Sequence, residues 1–167
     1  MKFEATPLRD LYLLTPRVFG DERGFFMESW NEATFHDAGF DMRFVQDNHS
    51  RSRRGTLRGL HYQREHSQGK LVRVTSGSVW DVAVDLRRGS PSLGQWYGVT
   101  LDADAHQLLW IPPGFAHGFY VTSEIADFQY KCTDLYHPQS EVTIAWDDPD
   151  LAIDWPLVDG AAPSVSE

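Results

Sequence analysis

Short alternating apolar stretches, separated at regular intervals by Gly and Pro, make up most of the chain from residue 44 onward. In the segment 79–85, Trp80, Val82 and Val84 fall on one side of an extended chain, with polar or small residues on the other. Similar extended stretches are predicted at 44–49, 57–63, 70–75, 95–101, 108–111, 115–121, 127–133 and 142–146. So many short strands predict an antiparallel barrel or sandwich, and a jelly roll with a ligand cavity between its sheets fits best.

The first forty residues add two strands and a helix to this prediction. The apolar run 11–14 predicts one strand, and the aromatic run 25–30 predicts another. Asn31 then caps a short helix over 32–38, which Gly39 ends. No repeat or linker divides the 167 residues, so we expect one domain.

Charge and cysteine content narrow the classes of partner and compartment. A net charge of -9 argues against a nucleic-acid binder or a partner of anionic membranes. Seven of the fifteen Lys and Arg residues nevertheless lie between positions 51 and 73, which fits a local anion site or a solvated basic face equally well. One cysteine allows no intrachain disulfide, and no stretch reaches membrane-spanning length, so we expect a cytoplasmic protein.

The segment 57–71 carries the most suggestive chemistry, because Arg58, His61 and Lys70 lie close together in it. An imidazole can take a proton, a lysine can stabilise the resulting negative charge, and an arginine can hold a phosphate. The combination predicts proton abstraction beside a carbonyl on a phosphorylated substrate. Taken alone, a strand histidine between apolar residues is more often a hydrogen-bonded structural group than a base, and the later motifs change that balance.

A second motif, residues 113–118, places His117 three residues after a Pro-Gly corner. This spacing is typical of cupins, in which such a histidine often binds a metal. Metal-binding cupins usually supply a His-x-His motif as well, but Tyr62 and Gln63 follow His61 here, and His66 lies too far along the chain. Two histidines form a weak site, so catalysis by a metal is disfavoured.

Several further motifs occur in order along the chain. They lie at 19–26, 44–48, 57–63, 69–72, 81–87, 89–91, 110–112, 114–119 and 130–131. With these motifs, the chain from about residue 18 to 156 resembles the dTDP-4-dehydrorhamnose 3,5-epimerase family, a metal-free branch of the cupin superfamily. The resemblance implies one mostly β domain over 1–167, a cupin-type double-stranded β-helix (jelly roll) with one or two short helices.

The same resemblance implies an activity and a partner. The activity is epimerisation of dTDP-4-keto-6-deoxy-D-glucose at C3 and C5 to dTDP-4-keto-L-rhamnose, through an enolate and without a cofactor. A homodimer is implied too, formed by exchange of an N-terminal strand region at about 1–30. An enzyme that inverts only C3 or only C5 is the nearest alternative, and a non-catalytic nucleotide-sugar binder or a metal cupin is a more distant one.

By position in these motifs, His61 matches the general base, Tyr130 the acid on the opposite face, and Lys70 the group that stabilises the enolate oxygen. The substrate-binding positions implied are Arg23, Phe26, Glu28, Gln46, Asp47, Asn48, Arg58, His117, Tyr136 and Glu141. Arg23 and Arg58 match diphosphate contacts, with Arg23 expected from the partner subunit, and Tyr136 matches the residue that stacks on thymine. No metal ligand is implied.

The carboxylate that would orient His61 is less clear from the sequence. The family has an acidic residue in a C-terminal Asp-Ala-Ala-Ala-Pro segment, and Asp159 begins a similar run here. However, only two residues separate it from Trp155-Pro156, and Val158 stands where relatives have lysine. Asp159 is nevertheless the favoured catalytic partner of His61, and Asp81, in a strand near the expected cavity, is the alternative.

Overall fold

The computed structural model describes residues 1–166 and consists mainly of antiparallel strands. The strands are β1 (Lys2–Ala5), β2 (Tyr12–Thr15), β3 (Val18–Asp21), β4 (Gly24–Met27), β5 (Gln46–Arg53), β6 (Leu57–Gln63), β7 (Lys70–Ser76), β8 (Ser78–Asp85), β9 (Trp96–Asp102), β10 (Leu108–Ile111), β11 (Phe115–Val121), β12 (Ile125–Cys132) and β13 (Glu141–Thr143). The helices are α1 (Glu32–Asp37) and two single 3-10 turns, Pro138–Ser140 and Val158–Gly160. None of these helices is long and apolar enough to cross a membrane.

Two large sheets account for eleven of the strands. One has the order β1-β2-β10-β7-β12-β5, the other has the order β13-β6-β11-β8-β9, and β3 and β4 form a separate hairpin. Consecutive strands often belong to different sheets, as in a jelly roll. This architecture confirms the predicted mostly β, cupin-type fold.

Strand β8 shows how the pattern of the sequence becomes a core. Val82 and Val84 pack with Leu57 and Leu60 on one face, whereas Ala83 on the other face joins a second apolar cluster. Both faces of the five-stranded sheet are therefore covered. The acidic side chains of β8, Asp81 and Asp85, are fully buried instead of facing solvent.

The N-terminal region contains both confirmed and unexpected elements. Asn31 caps α1 by accepting a hydrogen bond from the Thr34 amide at 3.2 Å, as predicted, and Phe35 anchors the helix in the core. The sequence pattern does not predict strand β1, because four residues are too few to show a clear alternation. The β3–β4 hairpin exposes Phe19, Phe25 and Phe26 by half or more of their surface. An exposed aromatic patch of this kind is typical of a contact surface, and exchange of this region in a dimer stays a prediction.

Candidate active site

A cavity of about 530 Å³ opens between the two large sheets. Strands β5, β7 and β12 line it from one side, and β6, β11 and β13 line it from the other. The predicted residues that line it are Gln46, Asn48, Arg58, His61, Lys70, His117, Tyr130, Tyr136 and Glu141. The fold thus gathers chemically reactive side chains that are far apart in the sequence.

An irregularity in β6 brings Arg58 and His61 into the cavity together. Residues three apart on a regular strand point to opposite faces. Here the pairing of β6 with β11 shifts register between His117 and Phe119. The side chains of Arg58 and His61 therefore both face the cavity. Gly59 lies at the shift with φ +109°, and a Cβ at this position would lie 2.5 Å from the His117 carbonyl oxygen. Only glycine fits this close approach.

The predicted base and acid face the cavity from different sheets. His61 belongs to the five-stranded sheet, whereas Tyr130 belongs to β12 in the six-stranded sheet. Lys70 starts β7 next to β12, and its Nζ lies 6.0 Å from the centroid of the Tyr130 ring. A ligand in the cavity would therefore meet an imidazole on one side, and a phenol with an ammonium on the other.

Burial adjusts the pKa values of these three groups in directions that suit proton transfer. It lowers the pKa of His61, and the nearby cations Lys70 and Arg58 lower it further, against the opposing effect of the Glu141 carboxylate. It raises the pKa of Tyr130, so the phenol keeps its proton. It lowers the pKa of Lys70, which makes the ammonium a better hydrogen-bond donor. At neutral pH the site holds a neutral base and a protonated acid.

Neither predicted carboxylate partner, Asp81 or Asp159, forms a hydrogen bond or an ion pair with His61 within residues 1–166. Asp81 lies 3.0 Å from Nε2 of His117, and both side chains are buried, so it orients that histidine instead of His61. Strand pairing explains this, because β8 lies directly beside β11 and contacts β6 only through it. Glu141 is the carboxylate whose charge acts on His61.

Asp159 lies on the exposed turn Val158–Gly160, with φ +55°. It forms no ion pair with His61 within residues 1–166. The tail reaches the cavity only beyond this turn, where Ser164 bridges to Thr56 and lines the cavity mouth. Only two residues separate Asp159 from Trp155-Pro156, and Asp159 lies on the turn that follows them. A role for Asp159 in orienting His61 stays a prediction.

Four other predicted substrate contacts lie outside the cavity of this chain. Asp47 points away because β5 alternates: Gln46 and Asn48 face the cavity, while the Asp47 carboxylate accepts a hydrogen bond from Lys131 at 3.0 Å on the outer face. Arg23 and Phe26 lie on the β3–β4 hairpin. Glu28 follows the hairpin and accepts a hydrogen bond from Asn31.

The seven Lys and Arg residues between positions 51 and 73 form a basic band in the sequence, but this band does not form a single anion site. Only Arg58 and Lys70 of its seven members line the cavity. Arg51 instead forms an ion pair with Asp127 at 2.8 Å, and Arg73 donates a hydrogen bond to Gln129. The other members, Arg53, Arg54 and Arg64, are exposed, so the band is partly a solvated face.

Sequence reasoning missed the apolar floor of the cavity. Phe119 and Phe128 stack with ring centroids 4.1 Å apart, and the Phe128 ring also lies 5.9 Å from that of His117. Both phenylalanines look like ordinary core residues in an alternating strand. Only the packing of the two sheets shows that these two rings also form the apolar floor of the cavity, beside the reactive groups.

Comparison with known proteins identifies the family. The model of the family described as dTDP-4-dehydrorhamnose 3,5-epimerase matches residues 5–167. The Pseudomonas aeruginosa protein named dTDP-4-dehydrorhamnose 3,5-epimerase is 59% identical over 168 residues, covering 100% of this chain and 92% of its own. The Legionella pneumophila dTDP-6-deoxy-D-glucose-3,5-epimerase, solved in complex with dTDP-4-keto-L-rhamnose, is 54% identical and superposes with a TM-score of 0.95, covering 99% of this chain and 87% of that one.

A third relative is more distant. The 3'-monoepimerase from Streptomyces bikiniensis, solved in complex with dTDP-quinovose, is 32% identical with a TM-score of 0.91, and the match covers 98% of this chain and 83% of that one. The fold is thus shared with an enzyme named for one inversion, while the higher identities are to proteins named for two. The chain belongs to the dTDP-4-dehydrorhamnose 3,5-epimerase family.

Proposed function

We propose that this protein epimerises dTDP-4-keto-6-deoxy-D-glucose at C3 and C5 to give dTDP-4-keto-L-rhamnose. The observation that carries the proposal is that His61 and Tyr130 line one cavity from opposite sheets, with Lys70 beside Tyr130. Inversion at a carbon requires removal of a proton from one face and its replacement on the other, and this arrangement offers a group for each step.

The reaction begins at the carbon beside the 4-keto group, whose hydrogen is acidified by the ketone. Neutral His61 takes this proton, and the electron pair of the C–H bond moves into the enolate. The Lys70 ammonium stabilises the charge on the enolate oxygen. Tyr130 then donates its proton to the opposite face of the carbon. Exchange with solvent removes the proton from His61 and restores the one on Tyr130, and the cycle repeats at the second carbon.

The nucleotide part of the substrate would lie toward the rim of the cavity. Arg58 donates from Nε to Ser52 at 2.9 Å, which leaves its terminal amino groups available to a diphosphate. Tyr136 donates its hydroxyl proton to Glu141 at 2.8 Å, and its amide donates to Gln46 at 2.9 Å. These contacts hold the exposed Tyr136 ring in place at the cavity rim, where it would stack on the thymine base.

A cytoplasmic homodimer would complete the site. The exposed β3–β4 hairpin carries Arg23 and Phe26, and the side chain of Arg23 is 85% exposed. In the proposed dimer the hairpin extends to the partner and adds Arg23 to the partner's diphosphate site.

Mixing two inactive variants tests this exchange. When Arg23→Ala and His61→Asn proteins are refolded together, random pairing makes about half of the dimers mixed. If Arg23 acts across the interface, each mixed dimer has one intact site, so about a quarter of wild-type sites return. Because an Arg23 that served its own subunit would leave every site impaired, no recovery of activity contradicts the exchange.

Product stereochemistry measured by NMR in deuterated water tests the function itself. We expect deuterium at both C3 and C5 of a product with the L-configuration, formed without added cofactor. No label at either carbon overturns the epimerase proposal, and label at one carbon only would make the protein a single-site epimerase. The double inversion is favoured because the relative of 59% identity is named a 3,5-epimerase.

A further inference from the structure

A cluster of potential metal ligands lies next in sequence to Tyr136, which lines the cavity, but its own members do not line it. It consists of His66, Asp134 and His137, whose ligand atoms all lie within 4.8 Å of one another. We propose that this cluster binds a divalent transition metal such as Zn²⁺ or Co²⁺. Two imidazoles and one carboxylate form a donor set that suits these ions, and they disfavour Mg²⁺ and Ca²⁺, which prefer oxygen ligands.

The distance between His66 and Asp134 fits a tetrahedral ion. Nδ1 of His66 lies 3.6 Å from Oδ2 of Asp134, too far for a hydrogen bond. With bonds of about 2.1 Å, that separation subtends an angle of about 120° at a metal placed between the two atoms, close to tetrahedral. The rings of His66 and His137 are stacked with centroids 4.0 Å apart, so their in-plane lone pairs are nearly parallel. The exposed His66 ring would turn to direct its nitrogen at an ion shared with His137.

The carboxylate of Asp134 is already oriented to give one oxygen to the ion. Its Oδ1 accepts a hydrogen bond from the Leu135 amide at 2.8 Å, while Oδ2 is the atom directed toward His66. The backbone of Asp134 is held as well, because Gln68 donates to its carbonyl oxygen at 2.9 Å. Supporting contacts of this kind around a ligand are typical of metal sites.

A single buried side chain, Gln63, joins the two segments that carry the histidines. Its amide nitrogen donates to the carbonyl of His66 at 2.7 Å and to that of Leu135 at 3.1 Å. Its oxygen accepts a hydrogen bond from the amide of His137 at 2.7 Å. The backbone on both sides of the cluster is therefore fixed before any ion binds, which reduces the entropy lost on binding.

The backbone at His66 supports a binding role. Its φ of +56° lies in the left-handed region, which is unfavourable for a residue with a side chain. Strained residues persist where the surrounding structure holds them, often at ligand sites, and Gln63 holds this one. The site differs from the metal site expected of a cupin, which would use His61 and His117 inside the cavity.

A bound ion would link the loop between β6 and β7 to the segment that follows β12. Tyr136 lies in that segment, between Asp134 and His137, so an occupied site would restrain the rim of the cavity. The ion would lie outside the reaction path, and it would raise the melting temperature because it binds the folded state alone.

Titration of metal-free protein tests the site. Full-length protein without an affinity tag is stripped with a chelator, then titrated with Zn²⁺ in a calorimeter and with Co²⁺ in a visible spectrometer, in the absence of nucleotide sugar. We expect one ion per chain, intense Co²⁺ absorption of the four-coordinate type, and a melting temperature that rises with Zn²⁺. We expect no such effect from Mg²⁺.

Variants assign the ion to the cluster. Asp134→Asn and His137→Asn should each weaken Zn²⁺ binding by at least about tenfold. His36→Asn is the matched control, because His36 is an exposed histidine beside an aspartate, 3.9 Å from Asp37, outside the cluster. Circular dichroism verifies that each variant folds. If His137→Asn does not fold, Asp134→Asn alone tests the site. Absence of binding, or Zn²⁺ binding that Asp134→Asn leaves unchanged, overturns the proposal, and neither result bears on the epimerase activity.

Discussion

Replacing Tyr130 with phenylalanine separates proton removal from inversion. The change deletes one hydroxyl group and keeps the ring, whose centroid lies 6.0 Å from that of Phe128 and 6.0 Å from Nζ of Lys70. Within residues 1–166 the hydroxyl has no hydrogen-bond partner, so the variant should lose little stability. Any large effect on turnover then reflects the missing acid.

The expected magnitude follows from the role of the hydroxyl. Loss of a positioned general acid slows its step by ~10²–10⁴-fold, which corresponds to about 3–5 kcal/mol in the barrier. Proton removal by His61 does not use Tyr130. A proton taken by His61 can exchange with solvent and return to the face it left. We therefore expect Tyr130→Phe to wash deuterium into the substrate with retained configuration, while epimerised product falls by the full factor.

The assay is NMR in deuterated water, which follows the label at C3 and C5 and the configuration of each carbon over time. His61→Asn provides the contrast, because loss of the base should abolish both exchange and inversion. Tyr97→Phe is a matched control outside the cavity, on β9. Epimerisation by Tyr130→Phe within about fivefold of wild type would refute the assigned role, since an acid contributes ~10²-fold or more. Exchange lost in parallel with inversion would refute the separation of the two steps.

Three further predictions concern pH, backbone and metal. Burial lowers the pKa of His61 below 6.5, and the base acts when neutral. We therefore expect kcat/KM to stay high as pH falls through 6.5, and a pH–rate profile that already falls at or above pH 6.5 contradicts this. Chemical denaturation should show that Gly59→Ala lowers the free energy of unfolding by about 1–3 kcal/mol more than Gly89→Ala. Both glycines have positive φ, but only a Cβ at position 59 would lie against His117. Equal losses in the two variants contradict the close approach. Chelation by EDTA should leave turnover unchanged, and activity lost to EDTA and restored by Zn²⁺ would contradict proton transfer by side chains alone.

The sequence predicts the fold well because the signals for it are local. Alternation identified β6 through β12 within one or two residues at each end, and Asn31 marked the start of α1. The number of short strands predicts an antiparallel barrel or sandwich, of which the jelly roll is the favoured form. The boundaries that shifted, such as β5 beginning at Gln46, depend on which residues find a partner strand.

The site could be predicted only in part, because its geometry depends on pairing between distant strands. Alternation on β5 alone cannot say that Gln46 and Asn48, not Asp47, face the cavity, since that depends on which face the sheet buries. The register shift beside Gly59 turns Arg58 inward, and a regular strand would not. Motif matching also cannot assign Asp81, which contacts His117 and not His61 because β8 lies beside β11.

The metal-ligand cluster shows the same limit. His66 lies too far from His61 to complete a cupin motif, and nothing in the sequence connects it with Asp134 or His137. Gln63 makes the connection by bonding to the backbone of both segments. In an alternating strand this glutamine resembles a surface residue, yet it is only 5% exposed.

A crystal structure with the dTDP-sugar bound would show whether His61 and Tyr130 act on opposite faces of the sugar. We expect the imidazole of His61 to contact one face of the hexose ring and the hydroxyl of Tyr130 to contact the other, with the Lys70 ammonium within hydrogen-bond distance of the oxygen on C4. His61 and Tyr130 on the same face of the ring, or either of them out of contact with the sugar, would contradict this expectation.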